Sequence, residues 1–304
     1  MKKNPDVSRQ GLRMDILKEY YAYDITPEEY MKFGFAGKND AERRTFCPGY
    51  RNVRAAKTAQ NSVWPENKYE RYLMIKDYVK RDVVYIRNDE NMEQNVKAFA
   101  EKYSRFVGKP VSGSKGHGII SVNADDTTLL EEKIRSSKNG YMLEEMIIQA
   151  DALARFHPGS VNTIRFVSAA DKNGEIRHLF ALLRTGRGGS FVDNIGSGGM
   201  AAAIDLQNGV VYTDGINGDM YYKAHPDTGV VFRGAVIPEW KELLNIVDQV
   251  HSKYSSQKMM GFDFAYSDKG WDIVEINPAP SVRSFQAISG EGMMPVLKEI
   301  GLFG

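Results

Sequence analysis

The sequence predicts an α+β protein with antiparallel sheet, and two observations carry that expectation. Up to about Lys80 the chain is rich in Lys, Arg, Tyr and Glu and has helical periodicity. From Arg105 onward the pattern becomes short strands of branched and aromatic residues separated by glycine turns.

The elements follow in order. Thr26-Pro27-Glu28-Glu29 marks a helix start: a hydroxyl N-cap, proline at the first helical position, then acids in the first turn. From Pro65 to Lys80, residues Tyr69, Tyr72, Leu73, Ile75 and Val79 recur at helical spacing. Val83 to Ile86 reads as a short strand. Asn88 to Tyr103 reads as an amphipathic helix with Met92, Val96, Phe99, Ala100 and Tyr103 on one face. Next come a strand over Phe106 to Val111, a glycine-rich turn over Ser112 to Gly118, and a strand over Ile119 to Val122. A helix from Thr127 to Ser136 and a strand from Tyr141 to Glu145 complete this part. After Asp151 the sequence predicts four or five further strands, including Thr163 to Ala170, Ile176 to Arg184, Met200 to Leu206, Met259 to Tyr266 and Trp271 to Ile276. A helix from Pro238 to about Tyr254 interrupts them. No internal repeat is present. The expected division is a helical N-terminal region over 1–80, a subdomain with the glycine-rich loop over 81–148, and a core subdomain over 149–304.

Composition excludes several classes. The 304 residues hold 40 Lys and Arg against 39 Asp and Glu, a net charge of +1. That balance, with no run of like charge, is not the footprint of a nucleic-acid binder. Cys47 is the single cysteine, so there is no intrachain disulfide and no thiolate metal cluster. A packing role is expected for it. No apolar run reaches the roughly 18 to 20 residues that span a bilayer. Met1-Lys2-Lys3-Asn4-Pro5 is basic without an apolar core behind it, so a cytoplasmic protein is expected.

Two segments carry chemistry. Lys109-Pro110 is followed by Ser112-Gly113-Ser114-Lys115-Gly116-His117-Gly118. Glycines let backbone N–H groups approach phosphate oxygens, and lysine adds a compact positive charge. The spacing is not that of a P-loop, and the chain returns to a strand. An ordinary hairpin turn has the same composition.

The second segment runs from Met259 to Tyr266, turns at Ser267-Asp268-Lys269-Gly270, and returns from Trp271 to Asn277-Pro278. It reads as a β-hairpin. A three-residue loop over 268–270 would pair Ser267 with Trp271 and set Asp263 opposite Glu275. Asn277, two residues on, shares that face. Phe262, Phe264, Val274 and Ile276 would point into a core. Two acids directly opposite each other repel unless a cation lies between them, and oxygen ligands of this kind suit Mg²⁺. The competing reading is a polar face of an edge hairpin.

Between these segments, Leu143-Glu144-Glu145-Met146-Ile147 leads to Gln149-Ala150-Asp151 as a strand running into an extended linker. His157-Pro158-Gly159-Ser160-Val161-Asn162-Thr163-Ile164-Arg165 is dense in polar donors. Arg184 and Arg187 adjoin a glycine-rich stretch over 186–199. Arginines there suit phosphate or carboxylate groups, and solvated loops would look the same.

In this order the segments resemble the ATP-grasp superfamily over roughly Lys76 to Gln286. The His157 to Arg165 segment is similar to its sugar-transfer-associated branch. The resemblance implies an ATP-grasp fold: two α+β subdomains gripping ATP between antiparallel sheets. It implies that Lys109 contacts the nucleotide phosphates and that Ser112, Gly113, Ser114, Lys115 and Gly116 belong to a mobile loop over them. Glu144 and Glu145, with the backbone of Met146 and Ile147, would adjoin adenine. Asp151 would bind ribose. Asp263, Glu275 and Asn277 would hold Mg²⁺. Arg165 and Arg184 would steady the γ-phosphate or an acyl-phosphate, and Arg283 would meet the acceptor. Lys76 would be a second phosphate lysine, in surroundings that depart from the family pattern. The N-terminal region also departs, because it lacks the βαβ units of the usual first subdomain. The implied activity is ADP-forming ligation of a small-molecule carboxylate to an amine, in cell-surface glycan or peptide-like metabolite synthesis. A kinase of a hydroxyl or sugar on the same fold, a non-catalytic nucleotide-binding module and a polysaccharide-binding protein stand as alternatives.

Overall fold

Five helices open the chain: α1 (Arg9–Tyr23), α2 (Pro27–Lys32), α3 (Asp40–Arg44), α4 (Gly49–Thr58) and α5 (Lys68–Ile75). The computed structural model describes residues 9–59, 64–65, 67–113, 118–191, 193 and 195–303. Thr26 caps α2 as its sequence predicts. Its Oγ1 accepts from the Glu29 amide at 3.2 Å, and Glu29 Oε2 accepts from the Thr26 amide at 3.1 Å. The other Glu29 oxygen accepts from the Gly49 amide at 2.9 Å, which ties the start of α4 to α2. Ile25, Tyr30, Phe33, Phe35 and Phe46 close a small aromatic core here. The single helix expected over Pro65 to Lys80 is shorter. It is α5 followed by a 3₁₀ turn, Lys76–Tyr78.

The first sheet joins β1 (Val83–Ile86), β2 (Arg105–Pro110), β3 (Ile120–Asn123) and β4 (Tyr141–Glu145) in the order β1-β4-β2-β3, all antiparallel. Helices α6 (Met92–Lys102) and α7 (Thr128–Ser136) cover one face. Met92, Val96, Phe99, Leu130 and Ile134 meet Phe106 and Leu143 there. This is the apolar face that the periodicity of α6 predicts.

The second sheet follows the short helix α8 (Asp151–Ala154). It contains β5 (Thr163–Ala170), β6 (Ile176–Thr185), β7 (Met200–Ile204), β8 (Gly215–Asn217), β9 (Met220–Tyr222), β10 (Met259–Ser267) and β11 (Gly270–Asn277). Their order is β11-β10-β5-β6-β7-β8-β9. Strands β8 and β9 exceed the sequence expectation. Each has three residues, too few to show an alternation. Both faces of the sheet are covered. Phe166, Ala181 and Leu183 pack toward α9 (Trp240–Lys253), whereas Val167, Phe180 and Leu182 pack toward α10 (Arg283–Ser289) and α11 (Met294–Glu299).

The N-terminal helices are fastened to the second sheet's far face. Fully buried Asn52 on α4 donates to the Pro280 carbonyl at 2.8 Å and accepts from the Val282 amide at 3.2 Å. The Gln286 side chain exchanges two hydrogen bonds with the Cys47 backbone, at 2.9 and 2.7 Å. Cys47 itself is buried in the core beneath α10, where burial pushes its thiol up to about 12. It is a packing residue, not a nucleophile.

Candidate functional site

The β10–β11 hairpin turns differently from expectation. Ser267 pairs with Gly270, leaving a two-residue loop of Asp268 and Lys269. Gly270, with φ +85°, supplies the left-handed conformation beside it. This tighter turn moves every partner by one position: Ala265 faces Asp272 and Phe264 faces Ile273. A β-bulge then absorbs Val274, and Asp263 faces Glu275 after all. The bulge exchanges two side chains. Ile273 enters the core and Val274 is half-buried. Asn277 pairs with Gly261, two positions from the Asp263–Glu275 pair and on the same face.

Arg81, just before β1, stabilises this bulge. Its Nη1 donates to the Ile273 carbonyl at 3.0 Å and to Asp272 Oδ1 at 2.7 Å. Its Nη2 donates to the Val274 carbonyl at 3.1 Å. The guanidinium thus satisfies carbonyls at the bulge, where the ladder is broken. From the same position Nε donates to Glu144 Oε2 on β4 at 2.8 Å. One buried arginine therefore joins the two sheets. The sequence reading missed it, because Lys80-Arg81-Asp82 looks like an exposed charged run.

Glu144 is buried and also accepts from Lys109 Nζ at 2.7 Å. Burial pushes its carboxyl up, but Arg81 and Lys109 more than reverse this and hold it at about 2. Glu145 accepts from the Asp82 amide at 3.1 Å and from Lys269 Nζ at 2.8 Å, a second link between the sheets. Lys68, at the start of α5, completes the group. Burial lowers its ammonium, and Glu275, Lys109, Arg71 and Glu144 all act on it. The Lys68 amide donates to the Val111 carbonyl, just beyond β2, at 3.0 Å, and α5 packs against β11, so Lys68 opens a helix that adjoins both sheets. Lys76 is exposed on its 3₁₀ turn instead. Composition alone could not separate the two lysines, which lie eight positions apart on one helical stretch.

On the second sheet, Asp263 lies between two arginines. Arg165, its neighbour across the β10–β5 ladder, donates from Nε at 2.5 Å and from Nη2 at 2.8 Å. Arg184 donates to it at 2.9 Å and to Asp193 at 3.0 Å. Burial opposes ionisation of Asp263, but the two arginines bring its carboxyl below the ordinary range. Asp193, which also accepts from the Thr163 amide and hydroxyl, is pushed upward by burial despite Arg184.

These groups fit a hard divalent cation. Asp263 is held as a carboxylate, Glu275 is directly opposite, and the Asn277 side-chain nitrogen is buried with no hydrogen-bond partner. That nitrogen is a donor and would not itself meet a cation; with the amide turned over, its oxygen would take the unpartnered position, the orientation a cation would require. Among the described residues no three His, Cys, Asp or Glu converge.

The remaining candidates spread along the junction of the two sheets and beyond it. Met146 and Ile147 are half-buried where the chain crosses between sheets; the Ala150 amide then donates to the Tyr266 carbonyl at 2.9 Å. Asp151 is exposed at the start of α8. Ser112 and Gly113 are exposed, and Ser112 Oγ accepts from Asn139 at 2.9 Å. Ser114, Lys115 and Gly116 lie outside the described residues. Arg283 faces the N-terminal helices and pairs with Glu28 at 2.6 Å and Glu29 at 3.6 Å. The polar density over His157 to Asn162 is spent internally. Asn162 donates to the Leu153 and His157 carbonyls at 2.9 and 3.0 Å, and His157 Nδ1 lies 3.0 Å from Ser160 Oγ.

The family model of sugar-transfer associated ATP-grasp proteins matches residues 61–302. Among solved structures, D-alanine–D-alanine ligase from Helicobacter pylori superposes with a TM-score of 0.50 at 15% identity, covering 77% of this chain and 60% of that one. D-alanyl-alanine synthetase A from Vibrio cholerae gives 0.48 at 13% identity, covering 78% and 60%. The biotin carboxylase domain of 2-oxoglutarate carboxylase from Hydrogenobacter thermophilus, solved with MgADP and bicarbonate, gives 0.45 at 16%, covering 71% and 40%. The chain thus spans less than two thirds of the length of each of these structures. No curated protein matches it.

Proposed function

The chain belongs to the sugar-transfer-associated ATP-grasp family, and from that premise we propose that it is an ATP- and magnesium-dependent ligase. It would activate a carboxylate as an acyl-phosphate for attack by an amine. The supporting observation is that two unlike sets adjoin where the sheets are joined. Lys109 bonds Glu144, and Arg81 ties Glu144 to the β11 bulge directly before Glu275, which faces Asp263.

Each set has a distinct task. Lys109 and Lys68 hold the nucleotide phosphates. Asp263, Glu275 and Asn277 would hold magnesium, which neutralises charge on the phosphates when bound. Arg165 and Arg184 lie beside Asp263 and steady the oxygens of the transferred γ-phosphoryl group. A carboxylate oxygen of the substrate attacks that phosphorus, and ADP leaves. The amine then attacks the acyl carbon, and inorganic phosphate departs. Positioning and charge neutralisation are what such a transfer asks of a protein.

Hydroxylamine, supplied as the amine with a panel of carboxylates, tests the reading. ADP and phosphate should form only with a suitable carboxylate, and a hydroxamate should accumulate. A stable phosphorylated product without hydroxamate would establish the kinase alternative. AMP and pyrophosphate would rule out both.

A further inference from the structure

A cleft of about 1350 Å³ opens where the N-terminal helices meet the chain after β11. One wall is the outer face of α4, where Tyr50, Val53, Arg54 and Lys57 recur at helical spacing. The other wall includes Ser281 and Arg283. The two walls are locked together from behind, because Asn52 on the opposite face of α4 bonds Pro280 and Val282. The joint is close. A Cβ on Gly49 would meet Arg283 Cβ at 2.8 Å and Ser281 Oγ at 3.0 Å.

The charge in this cleft is unbalanced. Its two acids are already engaged. Glu28 is held at about 2 by Lys32 and Arg283, and Glu29 is buried in the α2 cap. Arg54 and Lys57 are exposed and have no acidic partner among the described residues. Beside them Tyr50 leaves 50% of its surface in solvent. Two cations one turn apart suit an anionic group, and the half-exposed Tyr50 ring, whose hydroxyl bonds the Arg51-paired Asp24, suits a ring.

We propose that this cleft binds the acceptor, an anionic ring-bearing small molecule of the sugar-acid or sugar-phosphate kind. Arg54 and Lys57 hold its anion, and its ring lies on Tyr50. The assignment rests on the ligase reading, and the chain geometry connects the two sites. Ser281 follows Asn277 by four residues, so their Cα atoms are at most about 14 Å apart.

Calorimetric titration with glucuronate, glucose 1-phosphate and glucose tests this on the full chain. At least one anion should bind, and glucose should not. The two anions distinguish a carboxylate from a phosphate ligand. The Arg54→Gln/Lys57→Gln double variant should lose about tenfold or more in affinity for that anion. Tyr50→Ala should weaken it as well, and ADP affinity should be unchanged in both. These side chains are on the surface, so circular dichroism should show intact folds. Equal binding of glucose, unchanged affinity in the double variant, or no binding of either anion would overturn the proposal. ADP titration separates the two readings. Binding of ADP without anion sinks only the cleft assignment, whereas failure to bind ADP sinks the ligase reading beneath it.

Discussion

Asp263 and Glu275 face each other across the β10–β11 ladder because Val274 is bulged out of it. A one-residue slip in a strand turns every side chain to the other face. The two-residue turn introduces such a slip, and the bulge removes it. Arg81 donates to the Ile273 and Val274 carbonyls at that point, so the register of the acid pair depends on a residue remote in sequence.

Glu275→Gln should abolish magnesium-dependent turnover at a smaller stability cost than Asp263→Asn. Glu275 is half-buried, and its charge favours the Lys68 ammonium and the Arg184 guanidinium. A loss of about a hundredfold or more in rate is expected. Asp263→Asn should lose activity too, but with a cost of about 3–5 kcal/mol, because Arg165 and Arg184 would lose their shared counter-charge. Parallel rate assays and urea melts distinguish the two variants. Normal turnover by Glu275→Gln would remove it from the metal set.

Arg81→Met should destabilise the protein by about 3–5 kcal/mol, since it strips a buried charge from Glu144 and Asp272 together. Urea denaturation reads the loss. A change below about 1 kcal/mol would show that the inter-sheet link is energetically minor.

Lys109→Ala and Lys68→Ala should each weaken ADP binding, and Lys76→Ala should not. Lys109 bonds Glu144 and Lys68 is half-buried within the influence of Glu144 and Glu275, whereas Lys76 is exposed. Lys109→Ala should also cost more than Lys115→Ala, because Lys109 stands on a fixed strand. Equal ADP affinities across the set would contradict the assignment.

Stability should fall as pH drops from about 6.5 toward 4. His251 is fully buried, with Nδ1 2.6 Å from Ser168 Oγ and Nε2 2.9 Å from the Gln257 carbonyl. Burial holds it down to about 4, against about 6.5 in an unfolded chain. The unfolded state therefore binds the extra proton in this window. The stability due to neutral His251 is complete above about 6.5 and lost downward, by at most about 3 kcal/mol. His225, also lowered by burial, acts in the same direction. Urea midpoints at pH 7 and pH 4.5 measure the slope, and His251→Phe should flatten it. A wild-type protein equally stable at both values would refute this.

The longer strands, the α2 cap and the facing of Asp263 and Glu275 are legible in the sequence by itself, whereas the three-residue β8 and β9 are not. Alternation, caps and hairpin turns are local, and each is written within a few neighbouring residues. The turn and the bulge were not legible, because two compensating one-residue shifts leave the outer pairing unchanged. Only the tertiary structure decided that Arg81 bridges the sheets, that Lys68 is half-buried while Lys76 is exposed, and that α4 closes over the chain after Asn277. Those outcomes depend on which distant groups desolvate each other. A charged side chain is driven into a buried site by the partners that wait there, and its own sequence neighbourhood carries no trace of them.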